Sequence, residues 1–336
     1  MEMQISVINK IEDLLLIKEE WDKLFIKGDY SVFQSFKYCF QSAKINNSQL
    51  FVIVLEDNEQ IIEVWPCEII NKKLRFINDR HSDFCDILSK TNSYKIVQFI
   101  KENSHVKGVY FINLKENSLI LNKIKNLSNS VLNQKIDFSA LYLERTENFP
   151  DNFKSFVYRQ KRRLKRILKK YSAQHTILTS GNDPFPFNEL IILREEMIIN
   201  GSRKKSFFDD KFLDLCNQLY QTNNLIISKV KVNDKNSAMS LIFKNNNEYS
   251  FWVDLYNDMQ MMNLYHNARF IKEITSKESA IFNFGRGIYK YKLQNFNPEV
   301  FNLYEFMIFN NVFLKVKFIL KENIEFFLKS IYKKLK

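Results

Sequence analysis

Glycine and proline are scarce in this sequence, with 6 glycines and 5 prolines among 336 residues. Collagen-like and low-complexity disordered chains are rich in one or both, so the composition excludes those classes. The sequence also lacks a run of about 18 apolar residues, the minimum for a transmembrane helix. Hydrophobic residues make up 45% of the chain and charged residues 26%, which is typical of a globular protein with compact, well-packed layers.

Cysteine and histidine are also few, with four residues of each type. The cysteines, at positions 39, 67, 85 and 216, are too widely spaced for a metal-binding pattern, and the histidines are scattered as well. The N-terminus has no basic segment followed by an apolar one, so no secretory signal is visible. The sequence therefore predicts a cytoplasmic protein with reduced thiols and no bound metal.

The net charge of +12 is concentrated in two segments. Residues 159–170 contain eight basic side chains and no acidic one, within a predicted helix at 153–171. Residues 311–336 contain seven lysines and two glutamates in the pattern of an amphipathic helix. We therefore expect two local basic surfaces rather than a basic surface over the whole protein.

These two basic segments favour different partners. Few aromatic residues lie among the charges of 159–170, so a phosphate-binding helix beside a nucleotide pocket is favoured over a nucleic-acid interface. The C-terminal helix at 311–336 has three open interpretations. It can lie on an anionic membrane surface, pack against its own domain, or pack against the partner in a homodimer.

The order of predicted elements divides the chain at a proline-containing junction, residues 147–151. The first part mixes helices with an antiparallel hairpin. The second part has two helices and then three strand-like runs, whose asparagine-rich linkers have turn chemistry and predict an antiparallel meander. A helix at 265–279 and a strand at 280–284 follow the meander. The predicted domains are residues 1–150, residues 151–310 and the basic C-terminal helix at 311–336.

The densest group of chemically active side chains follows the strand predicted at 280–284. Gly285 and Gly287, two of the six glycines, flank Arg286, and a cluster of tyrosines and lysines comes next. Glycine at a strand end permits positive φ and a close approach of a ligand to the backbone. The pattern therefore predicts a binding site, although a structural turn is the competing interpretation.

Six residues are predicted to bind substrate. The arginine can hold a diphosphate through a bidentate fork and the lysine can act as a point charge. The tyrosines can stack on a base or a sugar, and the two remaining residues end the last meander strand, where they can face an acceptor. The six are Arg286, Lys292, Tyr289, Tyr291, Trp252 and Asp254.

Several phrases of the sequence resemble a known family through their order and spacing. They are the basic helix at 159–170, the meander, residues 283–287 with Tyr291 and Lys292, the phrase Lys-Ser-Phe-Phe-Asp at 205–209, and the phrases at 32–35 and 82–86. Together they resemble the double-domain GNAT acyltransferases of cellulose and exopolysaccharide operons, which are similar to the Fem-type peptidoglycan transferases. The resemblance spans residues 20–305.

The resemblance implies an α/β (α+β) fold of two tandem GNAT-like domains, each a mixed, mainly antiparallel sheet flanked by helices. It implies an enzyme that moves an acyl group from acyl-CoA onto an amine. Relatives in surface-glycan pathways acylate nucleotide-linked amino sugars, so a dTDP- or UDP-amino sugar for lipopolysaccharide, capsule or exopolysaccharide synthesis is the predicted acceptor. Two alternatives stay open: a Fem-type aminoacyl-tRNA-dependent transferase, and a non-catalytic GNAT-like module that binds nucleic acid.

The resemblance also implies a place for CoA. In that fold the pyrophosphate sits at the N-terminus of the helix after the meander, where backbone amides and the helix dipole favour anions. The matching residues here are His266, Asn267, Ala268 and Arg269, which we predict to bind the cofactor. The family usually has glycine at this helix start, but Asn267 can adopt the left-handed conformation and Ala268 is small, so a phosphate can still approach.

Amide formation from a thioester needs a neutral amine, a proton acceptor and donors for the tetrahedral oxyanion. Asp83 and Asp86 lie beside His81 in a predicted polar loop at 78–86. We predict that these three residues form the catalytic group, with Asp83 holding or deprotonating the amine. The competing interpretation is a solvated loop whose aspartates only form turns.

Overall fold

The computed structural model describes residues 3–28, 30–103, 106–127, 130–153, 155–287 and 289–309. These residues form two compact units: unit 1 contains the described residues up to Lys135 and from Asn302 onwards, and unit 2 is Ile136–Phe301. The predicted domains, 1–150 and 151–310, stay a prediction because compactness alone does not test independent folding. The helix predicted at 311–336 lies outside the described residues.

Unit 1 combines five short helices with strands, counted over the described residues. Serine side chains set two of the helix starts, since Ser35 Oγ accepts from the Tyr38 amide and Ser118 Oγ from the Leu121 amide. The helical segment nearest the N-terminus is interrupted by a 3₁₀ turn at Leu15–Ile17. The elements are β1 (Gln4–Ile8), α1 (Ile11–Leu14), α2 (Lys18–Lys27), α3 (Phe36–Asn46), β2 (Val52–Asp57), β3 (Gln60–Trp65), β4 (Cys67–Ile70), β5 (Lys73–Phe76), β6 (Leu88–Ser89), α4 (Lys95–Glu102), β7 (Gly108–Lys115) and α5 (Leu119–Ile124).

Unit 2 contains the basic helix, the meander and the helix that follows it. Asp209 Oδ1 caps one helix by accepting from the Phe212 amide at 2.9 Å. Two strands of unit 2, Ser130–Leu143 and Glu299–Phe309, also contribute residues to unit 1. The elements are β8 (Ser130–Leu143), α6 (Tyr158–Leu168), β9 (Ala173–Leu178), α7 (Phe187–Ile199), α8 (Asp210–Tyr220), β10 (Leu225–Val232), β11 (Lys235–Asn245), β12 (Glu248–Tyr256), α9 (Met262–Thr275), β13 (Ala280–Arg286), α10 (Lys290–Phe296) and β14 (Glu299–Phe309).

The strands of unit 1 belong to two sheets. In the first, the order is β1-β2-β3-β6 and all neighbours are antiparallel, which confirms the predicted hairpin in β2 and β3. In the second, the order is β4-β5-β7-β14, with β5 and β7 parallel. Apolar residues of both sheets and of α4 and α5 form one core, which includes Trp65, Phe76 and Phe111.

The sheet of unit 2 has the order β8-β13-β12-β11-β10-β9. The predicted meander is confirmed: β10, β11 and β12 are consecutive antiparallel strands. The first turn between them carries Asn233 and Asp234, both with positive φ, as a tight hairpin turn requires. The asparagine-rich linkers seen in the sequence therefore encode the turns.

Helices cover both faces of the unit 2 sheet. Two consecutive residues of β10 show this, because side chains alternate between faces. Ser228 contacts His266 of α9, with Ser228 Oγ 2.7 Å from His266 Nε2, whereas Lys229 Nζ is 2.5 Å from Glu189 Oε2 of α7. The apolar side of α6 joins the core under α9. No helix within the described residues is both long and apolar enough to cross a membrane.

Three local expectations differ from the structure. The helix after the meander begins at Met262 rather than at Tyr265. Residues 290–296, which were not predicted to be helical, form α10. The loop at 78–86 is largely buried rather than solvated, because Asn78, Asp79, Ser82 and Asp83 are each less than a tenth exposed.

Candidate active site

Strands β12 and β13 separate in unit 2 and place polar groups between their ends. Their parallel ladder covers only Glu248–Ser250 and Ile281–Asn283, while β12 continues to Tyr256 and β13 to Arg286. The chain after β13 returns through α10, where the Lys292 ammonium group donates to the Phe284 carbonyl. Lys292 is thus held against β13, two residues before that strand ends at Arg286.

A bulge in β12 sets the direction of Asp254. The register between β11 and β12 shifts after Leu241, which leaves Trp252 as the extra residue. One extra residue reverses the alternation of side chains along a strand. Asp254 therefore lies on the face covered by α9, directly opposite Ser240, whose hydroxyl donates to Asp254 Oδ1 at 2.6 Å.

The charges around Asp254 control its proton affinity. Desolvation raises the pKa of the Asp254 carboxyl above its usual value, while the Ser240 hydrogen bond and the positive charges of Lys292 and Arg203 act in the opposite direction. The Arg203 guanidinium also lies over the ring of Phe207, 4.7 Å from its centroid. A carboxylate with a raised pKa is a better proton acceptor at neutral pH than an exposed aspartate.

Tyr291 of the predicted motif completes this group, and Tyr289 lies beside it. Burial raises the pKa of Tyr291, the charge of Asp254 raises it further, and a hydrogen bond with Asn263 of α9 opposes the shift. Tyr289 is half exposed and stacks on Tyr291 with 6.2 Å between ring centroids. Lys292 Nζ lies 5.0 Å from the Tyr289 centroid. We call Asp254, Ser240, Arg203, Tyr291 and Lys292 the Asp254 cluster.

The two other residues predicted to bind substrate are Trp252 and Arg286. Trp252 packs between Phe212 and Phe243, with centroid distances of 4.8 and 4.7 Å. Arg286 is the partly buried last residue of β13. Gly285 and Gly287 have φ of 67° and 90°, which confirms the positive φ expected beside Arg286. The substrate-binding roles of Trp252 and Arg286 stay a prediction.

The residues predicted to bind CoA lie inside α9 rather than at its first residue. His266, Asn267 and Ala268 are buried, and Arg269 is partly buried. Neither carboxamide atom of Asn267 has a hydrogen-bond partner among the described residues. A buried amide in this state is a natural contact for a ligand or a water molecule. The cofactor-binding role of these four residues stays a prediction.

A basic pocket lies beside the start of α9. Its volume is about 1120 Å³ and its floor includes Ile167, Gln260 and Met261. Lys170 Nζ donates to Gln260 Oε1 at 2.7 Å, which ties the basic segment to the turn before α9. The pocket is lined by seven cationic side chains: Arg159, Arg162, Arg163, Lys165, Arg166, Lys169 and Lys170.

In unit 1, the predicted catalytic residues belong to a tightly bonded loop. His81 Nδ1 lies 2.9 Å from Asn78 Oδ1, and Asp83 is 7% exposed. Asn113 Nδ2 donates to the Asp79 and Ser82 carbonyls at 2.9 and 2.8 Å. These contacts give the loop a defined structure, and the catalytic role of His81 and Asp83 stays a prediction.

Asp86 has a clear structural role. Its carboxylate accepts from the amides of Ile87, Leu119 and Ile120 at 2.8 to 2.9 Å and so fixes the start of α5. Desolvation raises the pKa of Asp86 to about 6, against the effect of these hydrogen bonds. Asp86 also lines a cavity of about 350 Å³ together with Tyr30. A catalytic role for Asp86 stays a prediction.

Sequence reasoning missed several polar residues that contact the predicted ones. Ser240, Ser228 and His175 connect to Asp254 and His266 through hydrogen bonds. The available signal was the presence of small polar residues on one face of strands whose sequences are otherwise apolar. The bulge at Trp252 hid the connection, because simple alternation places Asp254 on the other face of the sheet.

No family model matches the sequence, but solved structures share the fold. The C-terminal domain of an Agrobacterium fabrum protein provisionally assigned as a lysylphosphatidylglycerol synthetase has a TM-score of 0.60 and 10% identity, over 91% of this chain and 95% of that chain. FemX has a TM-score of 0.59 and 10% identity, over 91% and 97%. A tandem GNAT protein from the clavulanic acid biosynthesis pathway has a TM-score of 0.52 and 6% identity, over 91% and 98%.

Identities this low establish the fold alone. The expected mixed α/β fold with tandem GNAT-like architecture is confirmed, since these structures match over almost the whole chain. The chemistry of this chain has to be argued from its own residues.

Proposed function

We propose that this protein is an N-acyltransferase that moves an acyl group from a phosphate-rich carrier onto an amine. The observation that carries the proposal is the basic pocket beside the start of α9. The Asp254 cluster lies in the same unit, and Asn263, in the first turn of α9, hydrogen-bonds Tyr291 of that cluster. One unit thus contains a surface for an anionic carrier and a carboxylate for an amine.

Acyl-CoA is the first carrier that the basic pocket would suit. CoA carries a 3′-phosphate and a diphosphate, and arginine guanidinium groups bind such oxygens through paired hydrogen bonds. Arg162 and Arg166 are exposed and lie four residues apart on α6, so they share one face of that helix. They are the side chains that we expect to contact the phosphates.

The acceptor in this proposal is the amine of a dTDP- or UDP-linked amino sugar, for surface polysaccharide synthesis. Asp254 would attract the ammonium form and accept a proton from it. Tyr289, exposed beside Lys292, would stack on the base or sugar, and Arg286 would hold the diphosphate. His81, Asp83 and Asp86 form a second candidate catalytic group, in unit 1.

The number of cationic side chains in the basic pocket favours a second carrier. Seven cations line one open pocket, which is more than the phosphates of CoA require and suits the repeated phosphates of a nucleic acid. An aminoacyl-tRNA would present such a backbone and an activated ester. The Fem-type reaction, transfer of an aminoacyl group onto an amine, is therefore the second candidate function.

Mass spectrometry of reaction mixtures tests both carriers. One arm combines acyl-CoAs with dTDP- and UDP-amino sugars, and the other combines aminoacyl-tRNAs with the same acceptors. An added acyl or aminoacyl mass on the amine supports the proposal and identifies the carrier. Tight tRNA binding without transfer in any mixture would instead support the non-catalytic nucleic-acid module.

A charge reversal on α6 tests the carrier site. We expect R162E/R166E to raise the KM for the carrier by about tenfold or more, because each charge-assisted hydrogen bond contributes about 1.5–3 kcal/mol. The matched control is K211E/K235E, which makes the same charge change at exposed lysines outside the pocket. Equal effects of the two double variants would show that only overall charge matters.

A further inference from the structure

A row of polar side chains, with 2.6 to 3.3 Å between the facing polar atoms of neighbours, runs beneath α9 from Asp254. The Ser240 hydroxyl is 2.6 Å from Asp254 Oδ1 and 3.3 Å from His266 Nδ1. Ser228 Oγ is 2.7 Å from His266 Nε2 and 2.8 Å from His175 Nε2. The register explains the row, because Ser228 pairs with Ser240 and Ser240 pairs with Asp254 across three adjacent strands.

The other end of this row reaches the surface at Glu273 of α9. His175 Nδ1 lies 2.7 Å from Glu273 Oε2, and the Glu273 side chain is 33% exposed. Glu273 Oε1 also accepts from Lys277 Nζ at 3.0 Å. The row therefore connects the Asp254 cluster with solvent near the C-terminal end of α9.

The middle of the row is sealed from solvent. Ser228 and Ser240 are 0% exposed and His266 is 1% exposed. Burial lowers the pKa of His266 to about 3, and burial also lowers the pKa of His175 despite the contact with Glu273. Both imidazole rings are accordingly neutral at pH 7, and each carries one proton.

The partners fix the position of each proton. Desolvation acts to raise the pKa of Glu273, but the hydrogen bonds from Lys277 and His175 lower it overall, so Glu273 is charged and accepts a hydrogen bond from the Nδ1–H group of His175. His175 Nε2 then accepts from Ser228, and Ser228 accepts from His266 Nε2. His266 Nδ1 faces the Ser240 oxygen without a proton between them, in agreement with 3.3 Å being the longest contact of the row.

We propose that this row, Asp254, Ser240, His266, Ser228, His175 and Glu273, is a proton relay that carries the proton of the acceptor amine from Asp254 to solvent. The proposal deepens the proposed function and rests on it. Asp254 is the residue that meets the substrate. The other five transfer protons without touching it.

The proton count balances along the row. The amine nitrogen attacks the acyl carbon, a C–N bond forms, and the C–S or C–O bond of the carrier breaks. The sulfur or oxygen leaves with the electron pair and takes a proton from water. Asp254 accepts the amine proton and then donates to Ser240. The Ser240 hydroxyl, which donated to Asp254 before this step, turns to His266 Nδ1 and passes its own proton there.

The same shift continues to the surface. His266 gives its Nε2 proton to Ser228, and Ser228 gives its proton to His175 Nε2. His175, now protonated on both ring nitrogens, gives its Nδ1 proton to the Glu273 carboxylate 2.7 Å away. Glu273 then releases that proton to water. Burial disfavours the cation at His175, the adjacent Glu273 favours it, and Arg269 and Lys277 disfavour it, with a lowered pKa as the net result.

Kinetics of Ser228→Ala test the relay at a position remote from the substrate. We expect kcat to fall about 10²-fold, within the range for proton-transfer catalysis, with the KM for the amine unchanged. We also expect added imidazole, a diffusible base, to restore part of kcat. Ser228→Thr, which keeps the hydroxyl, should recover most of the activity.

The matched control for Ser228→Ala is Ser237→Ala. Ser237 is also a buried strand serine, but it donates to the Lys235 carbonyl outside the row. It should keep wild-type kcat and show no response to imidazole. Full activity of Ser228→Ala, or a loss that imidazole leaves unchanged, overturns the relay.

Nitrogen-15 NMR of the histidines tests the relay without any substrate. The relay requires neutral rings at pH 7, with the proton of His175 on Nδ1 and that of His266 on Nε2. A charged His266, or the opposite tautomers, overturns the relay even in an active enzyme. The predicted tautomers together with no transfer from any carrier would refute the proposed function instead, and with it the relay's role in catalysis.

Discussion

The two units use buried polar groups in different ways. In unit 1 the buried charged groups make structural contacts. The Asp86 carboxylate accepts hydrogen bonds from three backbone amides. Lys123 Nζ lies 2.7 Å from Glu63 Oε2, and both side chains are almost fully buried. In unit 2 the Asp254 carboxylate has one hydroxyl donor and lies near two cations. Asn267 has no hydrogen-bond partner among the described residues.

This difference indicates which buried carboxylates are structural and which can take part in a reaction. A carboxylate whose oxygens accept several fixed donors stabilises the loop around it and has little freedom to bind a substrate. A carboxylate with few fixed partners and a raised pKa can exchange a proton. We therefore expect substitutions in unit 1 to change stability and substitutions around Asp254 to change turnover.

The largest expected effect is the loss of catalytic rate in the Asp254→Asn variant. Loss of the proton acceptor should lower kcat by about 10²–10⁴-fold, while the melting temperature changes little because the amide can still accept from Ser240. Asp83→Asn is the matched variant in unit 1. If Asp83→Asn loses the activity and Asp254→Asn keeps it, the comparison is reversed and the reacting amine belongs to unit 1.

The second effect is on the stability of unit 1. Glu63 also accepts from Trp65 Nε1 at 2.6 Å, so Lys123→Met would leave a buried carboxylate without its cation. Breaking a buried pair costs about 3–5 kcal/mol of unfolding free energy. Urea denaturation measures the loss, and activity per folded molecule should stay unchanged.

Lys18→Met is the control for Lys123→Met. Lys18 forms an exposed ion pair with Asp22 at 2.9 Å, and exposed pairs contribute little because water screens them. No measurable change is expected. Equal stability of the two variants would show that the buried charges of unit 1 are not the structural contacts that we infer.

The sequence predicted the framework of unit 2 better than its site. The meander followed from asparagine-rich turns, and positive φ at Gly285 and Gly287 followed from glycine chemistry. The pairing of Ser228, Ser240 and Asp254 could not be predicted, because it depends on strand register and on the bulge at Trp252. Both are tertiary properties that local composition does not encode.

The third expected effect concerns stability: the unfolding free energies of the two units should change with pH in opposite directions. The pKa of His266 is about 3 in the folded state and about 6.5 when unfolded. Unfolding therefore binds a proton below that unfolded value, and unit 2 loses stability as pH falls from about 6.5 towards 3. The slope is about 1.4 kcal/mol per pH unit.

Unit 1 should respond in the other direction. Desolvation raises the pKa of Asp86 to about 6, above its unfolded value of about 3.9. The contribution of Asp86 to the stability of unit 1 is fully present below the unfolded pKa and is lost as pH rises through about 6. Hydrogen exchange of β7 and β10 peptides between pH 4 and 6.5 measures both trends. His266→Gln should flatten only the trend in unit 2, and a parallel response of both units contradicts the assignment.

The smallest expected effect separates backbone strain from a side-chain contact near the Asp254 cluster. Gly287 has φ of +90°, and a Cβ there would lie 3.1 Å from Tyr289 Cε2. Gly201 has φ of +73° with nothing within 4 Å of such a Cβ. Alanine at either position costs about 1 kcal/mol of stability through strain, so the two variants should melt alike. Only Gly287→Ala should displace Tyr289 and raise the KM for a nucleotide-bearing acceptor. Equal KM values for the two variants would remove Tyr289 from the acceptor site and leave the Gly-Arg-Gly motif a structural turn.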